Sequence, residues 1–202
     1  MHYIAVIDYD VGNLMSVNNG MKYLGFSTLV TSDPADLEMA DAIILPGVGA
    51  FPDAANKLNQ RGMMEAIRAQ STKKPVLGIC LGMQLLFEKG FEVREAQGLG
   101  VIPGTVEKIQ TNYKLPHIGW NELKFHTPSP LFEGVEEGSY VYFVHTFCGH
   151  AKDPKHVIAT TDYGVTVTAA VQNGNVFGTQ FHPEKSGDIG LQMLRNFGGL
   201  NR

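Results

Sequence analysis

Pro75-Val76-Leu77-Gly78-Ile79-Cys80-Leu81-Gly82-Met83-Gln84 is the stretch on which the fold turns. Its apolar run carries no charge and is the length of a strand buried on both faces, too short for a buried helix. Leu81 then opens a segment expected to be helical to about residue 89. A buried strand passing straight into a helix is half of a parallel crossover unit. The alternation recurs upstream. Residues 3–7 form an apolar run ending at Asp8, a turn with Gly12 follows, and Leu14, Val17, Met21 and Leu24 repeat at helical spacing up to Gly25. Residues 26–30 and 42–45 read as two more short buried runs, the second stopped by Pro46-Gly47, and 53–70 as one helix. The pattern predicts an α/β fold: a doubly wound, mainly parallel sheet with helices on both faces.

Beyond residue 98 the pattern becomes strand-like at 101–109, 140–147, 157–161, 165–171 and 176–181, which predicts an antiparallel extension in the C-terminal half. A last helix carries Ile189, Met193, Phe197 and Leu200. No repeat, low-complexity tract or long linker interrupts the chain, so residues 1–202 are expected to form one domain.

The 202 residues, 44% hydrophobic, suffice for a sizeable core and exclude collagen, coiled coil and disorder. Charged residues are 18%, below the ~25% usual for soluble domains, so part of the surface is expected to face a partner. Sixteen Lys and Arg against twenty Asp and Glu leave a net charge of -4 and no basic run, which argues against nucleic acid. No apolar stretch approaches the roughly 18 residues of a membrane span. The first eight residues lack a basic leader and read as a mature strand, so the expected location is the cytoplasm. There a disulfide between Cys80 and Cys148 is not expected.

Gly78-Ile79-Cys80-Leu81-Gly82 fits a nucleophile elbow, in which a reactive side chain sits on a sharp turn between strand and helix. Side chains at the two flanking positions would collide, hence glycine at both. The helix N-terminus beyond Cys80 would favour its thiolate through the helix dipole and the unpaired N–H groups. Cys148, flanked by Thr146 and His150, has no such setting and is expected to pack. A cysteine nucleophile needs a base and a group to orient it. His182 follows the last apolar run, Pro183 biases it to an extended backbone, and Glu184, two residues on, falls on the same side. Strand alternation sets His145 opposite Cys148 and His150, so no metal site is expected, and no cofactor. An oxyanion would take one donor from the Leu81 N–H. Two readings of Pro46-Gly47-Val48-Gly49 stand side by side: a plain strand-ending turn, or a turn whose Val48 or Gly49 N–H swings inward as the second donor.

Together these pieces resemble the class I, or triad, glutamine amidotransferases. The elbow 78–84 and the distal Gly178-Thr179-Gln180-Phe181-His182-Pro183-Glu184 stand in that family's order. Stretches 8–17, 116–121 and 142–147 look like glutaminase subunits that serve a separate (β/α)8-barrel cyclase. Asp10 stands where such chains usually have glycine, and Phe147 where they have tyrosine. The resemblance implies a flavodoxin-like domain in which Cys80 attacks the glutamine amide, His182 shuttles protons, Glu184 holds the imidazole, and ammonia passes to the cyclase in a heterodimer. It assigns glutamine binding to Gly49, Leu81, Gln84, Glu92, His145, Thr146 and Phe147. Gln84 lies one helical turn past Cys80 on the same face; Glu92 reads equally as a solvated acid. Asn13, Trp120, Tyr142 and Lys185 are implied partner contacts, against plainer roles as helix cap, core aromatics and solvated charge. A glutaminase for another ammonia-channelling synthase and a stand-alone cysteine hydrolase share the same triad chemistry.

Overall fold

The computed structural model describes residues 2–10 and 12–200; Met1, Val11, Asn201 and Arg202, which include one position of the 8–17 stretch, lie outside the described residues. Strand and helix alternate through the first half: β1 (Ile4–Ile7), α1 (Leu14–Tyr23), β2 (Thr28–Thr31), α2 (Pro34–Met39), β3 (Ala42–Gly47), α3 (Phe51–Gln60), α4 (Met63–Ser71), β4 (Val76–Cys80) and α5 (Leu81–Leu85). The second half is mostly strand: β5 (Phe87–Gly90), β6 (Ala96–Gln97), β7 (Ile102–Lys108), β8 (His117–Glu122), β9 (Lys124–Phe125), β10 (Tyr140–His145), β11 (Phe147–Ala151), β12 (Val157–Asp162), β13 (Thr166–Asn173) and β14 (Val176–Thr179), closed by α6 (Gly187–Gly199).

Eight strands form the main sheet in the order β2-β1-β3-β4-β14-β13-β12-β9. The first five run parallel and the last three antiparallel. Strand order 2-1-3-4-5 in the parallel part is the flavodoxin-like arrangement. Period-two alternation divides the core into two layers. Ile7, Ile43 and Leu45 pack with Leu37, Leu58 and Ile67 from α2, α3 and α4. On the other face Val6, Ile44 and Ile79 pack with Val17 and Met21 of α1 and with Met193 and Phe197 of α6. Among the described residues no helix is long and apolar enough to cross a membrane.

Two smaller sheets sit beside the carboxyl edge. One is the antiparallel pair β10-β8, the other is β11-β7-β5-β6. The chain leaves the first for the second at Thr146, so the single strand expected over 140–147 is two. The helix expected over 53–70 is also two, because Gly62 takes φ +70 and breaks the ladder between them. The helix expected from Leu81 to about residue 89 stops at Leu85. Phe87 then lies buried against Gly149 in the four-stranded sheet, and Phe51 sits on Gly90. Tertiary packing on these glycines outweighs a local preference for helix. Asp10 adopts φ +60, in the left-handed region that glycine enters freely and Asp tolerates.

Candidate active site

The sheet topology brings three chain segments to one edge. β4 pairs in parallel with both β3 and β14, so Gly47 stands opposite Cys80 and Thr179 opposite Ile79. Residues just past these three strands therefore share one rim, the usual place for a ligand in an open α/β sheet. A cavity of about 270 Å³ opens there, lined by Val48, Gly49, Cys80, Leu81, Gln84, Glu92, Pro116, Val144, His145, Thr146, Phe147 and His182. Glu184 stands behind His182 instead of facing the cavity.

Cys80 occupies the corner between β4 and α5 at φ +55 and ψ -110, a strained conformation for a residue with a side chain. The corner is tight: a Cβ on Gly78 would come within 2.6 Å of the Gly82 carbonyl oxygen, and one on Gly82 would run into the Leu45 carbonyl. Glycine at both positions is thus a steric requirement of the turn. Cys80 as a residue is 6% exposed, and its thiol points to the Val144 carbonyl at 3.9 Å.

His182 Nδ1 lies 2.8 Å from Glu184 Oε1. Three backbone-directed bonds fix this segment: His182 N donates to the Tyr142 carbonyl at 3.0 Å, Ser186 Oγ donates to the His182 carbonyl at 2.7 Å, and Tyr142 N donates to Ser186 Oγ at 3.0 Å. Nε2 of His182 is buried and forms no hydrogen bond of good geometry among the described residues. Burial alone would lower the His182 pKa, but the adjacent Cys80 sulfur and the Glu184 carboxylate both favour the imidazolium and raise it to about 9. The arrangement sets a thiol, an imidazole of raised basicity and a buried carboxylate in a row, the order in which a nucleophile, a base and its orienting group would have to stand.

Gln84 reaches from α5 to the far wall, its Nε2 donating to the Phe147 carbonyl and to Gln180 Oε1, each at 3.0 Å. Gln180 Nε2 in turn approaches Cys80 Sγ at 3.7 Å. The sequence assigns Gln180 no role, although it stands two residues before His182; a polar residue at a buried strand end is the signal that marks it. Phe147 enters these contacts through its backbone carbonyl, which tyrosine and phenylalanine offer alike. Glu92 does line the cavity, but its Oε2 also accepts from the Phe51 N–H at 2.8 Å, at the start of α3. It caps a helix that has no side-chain cap from Ala50.

Gly49 has φ +108, while Val48 beside it is 42% exposed. The face of β8 and β10 turned away from the core shows Ile118, Trp120 and Tyr140 at 58%, 52% and 56% exposure. Trp120 and Tyr142 are therefore not core aromatics; their rings meet edge to face at 6.1 Å, and Lys185 Nζ sits 5.9 Å above Tyr142. Asn13 precedes α1 without a side-chain cap bond. His145 does not simply oppose Cys148 across one strand, because the chain changes sheets between them. His145 bonds His117, and Cys148 Sγ lies 3.4 Å from His150 Nε2. Burial first, and Glu107 second, push the Cys148 thiol up to about 12, which keeps it protonated. Among the described residues no group of three His, Cys, Asp or Glu side chains is placed to hold a metal.

A profile of the family described as "Glutamine amidotransferase class-I" matches residues 5–198. A Bacillus anthracis protein named "Imidazole glycerol phosphate synthase subunit HisH" is 49% identical over 199 residues, covering 98% of this chain and 94% of that protein. A protein of the same name from Bacillus thuringiensis (strain Al Hakam) is 48% identical over the same shares. Among solved structures, one titled "Crystal structure of glutamine amidotransferase" superposes with a TM-score of 0.76 at 20% identity, covering 97% of this chain and 99% of that one. "Structure of PurLQS from Thermotoga maritima" gives 0.78 at 21%, covering 96% of each. These two share the fold.

Proposed function

This chain belongs to the class I glutamine amidotransferase family, and from that premise we propose that it is the glutaminase subunit of an imidazole glycerol phosphate synthase, in histidine biosynthesis. The single observation that carries the chemistry is the His182–Glu184 pair at 2.8 Å, with His182 set beside Cys80 in the lining of one cavity.

Glutamine enters the cavity with its side-chain amide at Cys80. The Cys80 thiol gives its proton to Nε2 of His182, and the sulfur attacks the amide carbon. The resulting oxyanion is met by the Leu81 N–H at the start of α5 and by an N–H of the Val48-Gly49 turn. The His182 imidazolium then protonates the leaving nitrogen, the C–N bond breaks, and ammonia departs from a glutamyl thioester. Neutral His182 next takes a proton from water, which attacks the thioester and releases glutamate and the thiol. Glu184 keeps the imidazole in one orientation throughout. Glutamine is held by Gln84, Glu92, Gly49 and the 145–147 wall.

The named relatives are subunits, so a partner subunit is part of this reading. We assign that partner as a (β/α)8-barrel cyclase. Ammonia freed in water at neutral pH becomes ammonium, which is not a nucleophile, so product transfer needs a dry path across a contiguous interface. The exposed apolar face of β8 and β10, with Trp120 and Tyr142 next to the Val144 edge of the cavity and with Lys185 above, supports docking there. Asn13 is assigned to the same interface.

The test is the Cys80→Ala variant assembled with its synthase. Glutamine-dependent synthesis is expected to vanish while synthesis from added ammonium salts survives. Loss of both in a folded, assembled complex, or survival of the glutamine-dependent reaction, would reject the assignment.

A further inference from the structure

We propose that His117 is a positioning residue for the glutamine pocket: it holds His145 in the tautomer that clamps the Phe147 carbonyl into the pocket wall. What occupies the pocket rests on the glutaminase reading; the clamp rests on the contacts and burial of the two histidines.

Four contacts run in a row. The Phe147 carbonyl lies 2.9 Å from His145 Nδ1, His145 Nε2 lies 3.0 Å from His117 Nδ1, His117 Nε2 lies 2.9 Å from Asn121 Oδ1, and Asn121 Nδ2 donates to the Asp162 carbonyl at 3.0 Å. Both ends of the histidine pair thus meet oxygen acceptors. Three gaps need three protons, and two neutral imidazoles bring two. A third would make the pair a buried cation. His117 and His145 are 0% and 6% exposed, and burial, against the Phe147 bond and with His117 and His182 adding to it, pushes the His145 pKa down to about 4. Burial also lowers that of His117.

One gap must therefore yield. The Phe147 end is costly, because a His145 without its proton on Nδ1 would set a nitrogen lone pair against the carbonyl oxygen 2.9 Å away in the pocket wall. The middle gap is wholly buried. The Asn121 end is cheapest: its bond to Asp162 is at the surface, so the amide can turn Nδ2 toward His117 and leave the Asp162 carbonyl to water. His117 then carries its proton on Nδ1 and donates to His145 Nε2. His145 must carry its own on Nδ1, which closes the bond to Phe147, since the site of protonation on an imidazole follows the bond its other nitrogen makes. Phe143 and Tyr163 stack on the His117 ring at 4.9 and 3.9 Å, which hinders it from turning over to exchange nitrogens.

The clamp acts where the chain steps from β10 to β11. Val144 to Phe147 all line the cavity, and Val144 supplies the carbonyl facing the Cys80 thiol. Loosening it shifts the wall that grips glutamine more than the chemistry at sulfur.

The test uses the chain assembled with its synthase partner and glutamine as substrate. His117→Ala frees His145 to take the other tautomer, so KM is expected to rise roughly tenfold with kcat within about twofold. His117→Asn places an amide donor where Nδ1 stood and is expected to restore KM; a role in packing alone would leave Asn and Ala alike. Imidazole nitrogen NMR on the isolated chain needs no turnover and decides the clamp even if His117→Ala fails to fold. His145 is expected to be protonated on Nδ1 in the wild type and in His117→Asn. Protonation on Nε2 in the wild type, an unchanged KM in folded His117→Ala, or no recovery in His117→Asn would overturn the proposal. Wild-type protein that does not hydrolyse glutamine would instead sink the glutaminase reading.

Discussion

Nδ1 of His182 and Oε1 of Glu184 are 2.8 Å apart with their side chains only 2% and 1% exposed. Separated by Pro183 alone, they meet on one short turn, without any long-range pairing between them. The other carboxylate oxygen, Oε2, is buried without a hydrogen-bond partner among the described residues. Such a group is costly to keep unless its charge does something. Here the charge stabilises the imidazolium.

Glu184→Gln keeps an oxygen for Nδ1 but removes that charge, so the His182 pKa is expected to fall from about 9. Glutaminase kcat should drop by about 10²- to 10⁴-fold, as for loss of a base-orienting group. The effect on stability has a definite sign. A histidine whose folded pKa is raised from 6.5 to about 9 stabilises the fold fully below 6.5 and loses that contribution as pH rises through 9. The stability gap between wild type and Glu184→Gln should therefore be widest near pH 6 and narrow by pH 9. Urea unfolding at a series of pH values measures it; a constant gap would show that the charge is not coupled to His182.

The elbow glycines make a steric prediction. Gly82→Ala drives a methyl into the Leu45 carbonyl, so α5 and β3 must separate, at a cost of about 1–3 kcal/mol or more. Gly199→Ala, in α6 with no atom within 4 Å of the added carbon, should instead stabilise by about 0.5–1 kcal/mol. Denaturant midpoints for the two variants should move in opposite directions.

Trp120 offers the cleanest test of the docking face. Being 52% exposed, it should tolerate Trp120→Ala with a change in stability of about 0.5 kcal/mol or less. If the β8–β10 face meets the cyclase, the same change should weaken association at least tenfold, as for a buried aromatic anchor. Titration of the variant with the cyclase subunit measures the loss; unchanged affinity would move the interface elsewhere.

The parallel half of the fold was legible because its signals are local. Apolar runs such as Val76 to Cys80 and helical spacing such as Val17 to Met21 mark elements whatever surrounds them. The boundaries that failed lie where distant residues intervene. Nothing near Phe87 announces that it will pack on Gly149, some sixty residues on, and that contact turns the end of the expected helix into a strand. Likewise 140–147 looks continuous until β11 is captured by β7.

For the candidate site, the amino-acid order alone determined the cysteine with glycines two residues to either side and the histidine with its acid two residues on. Both depend on the steric space of one turn and the period of an extended chain. Only the tertiary structure decided that Gln180 approaches the thiol, that Glu92 caps α3 while lining the cavity, that Trp120 and Tyr142 face outward, and that His117 backs His145. These pairings join segments that are remote in the chain. Their contacts depend on strand order, on register and on which face each strand buries, quantities set by the packing of the whole sheet.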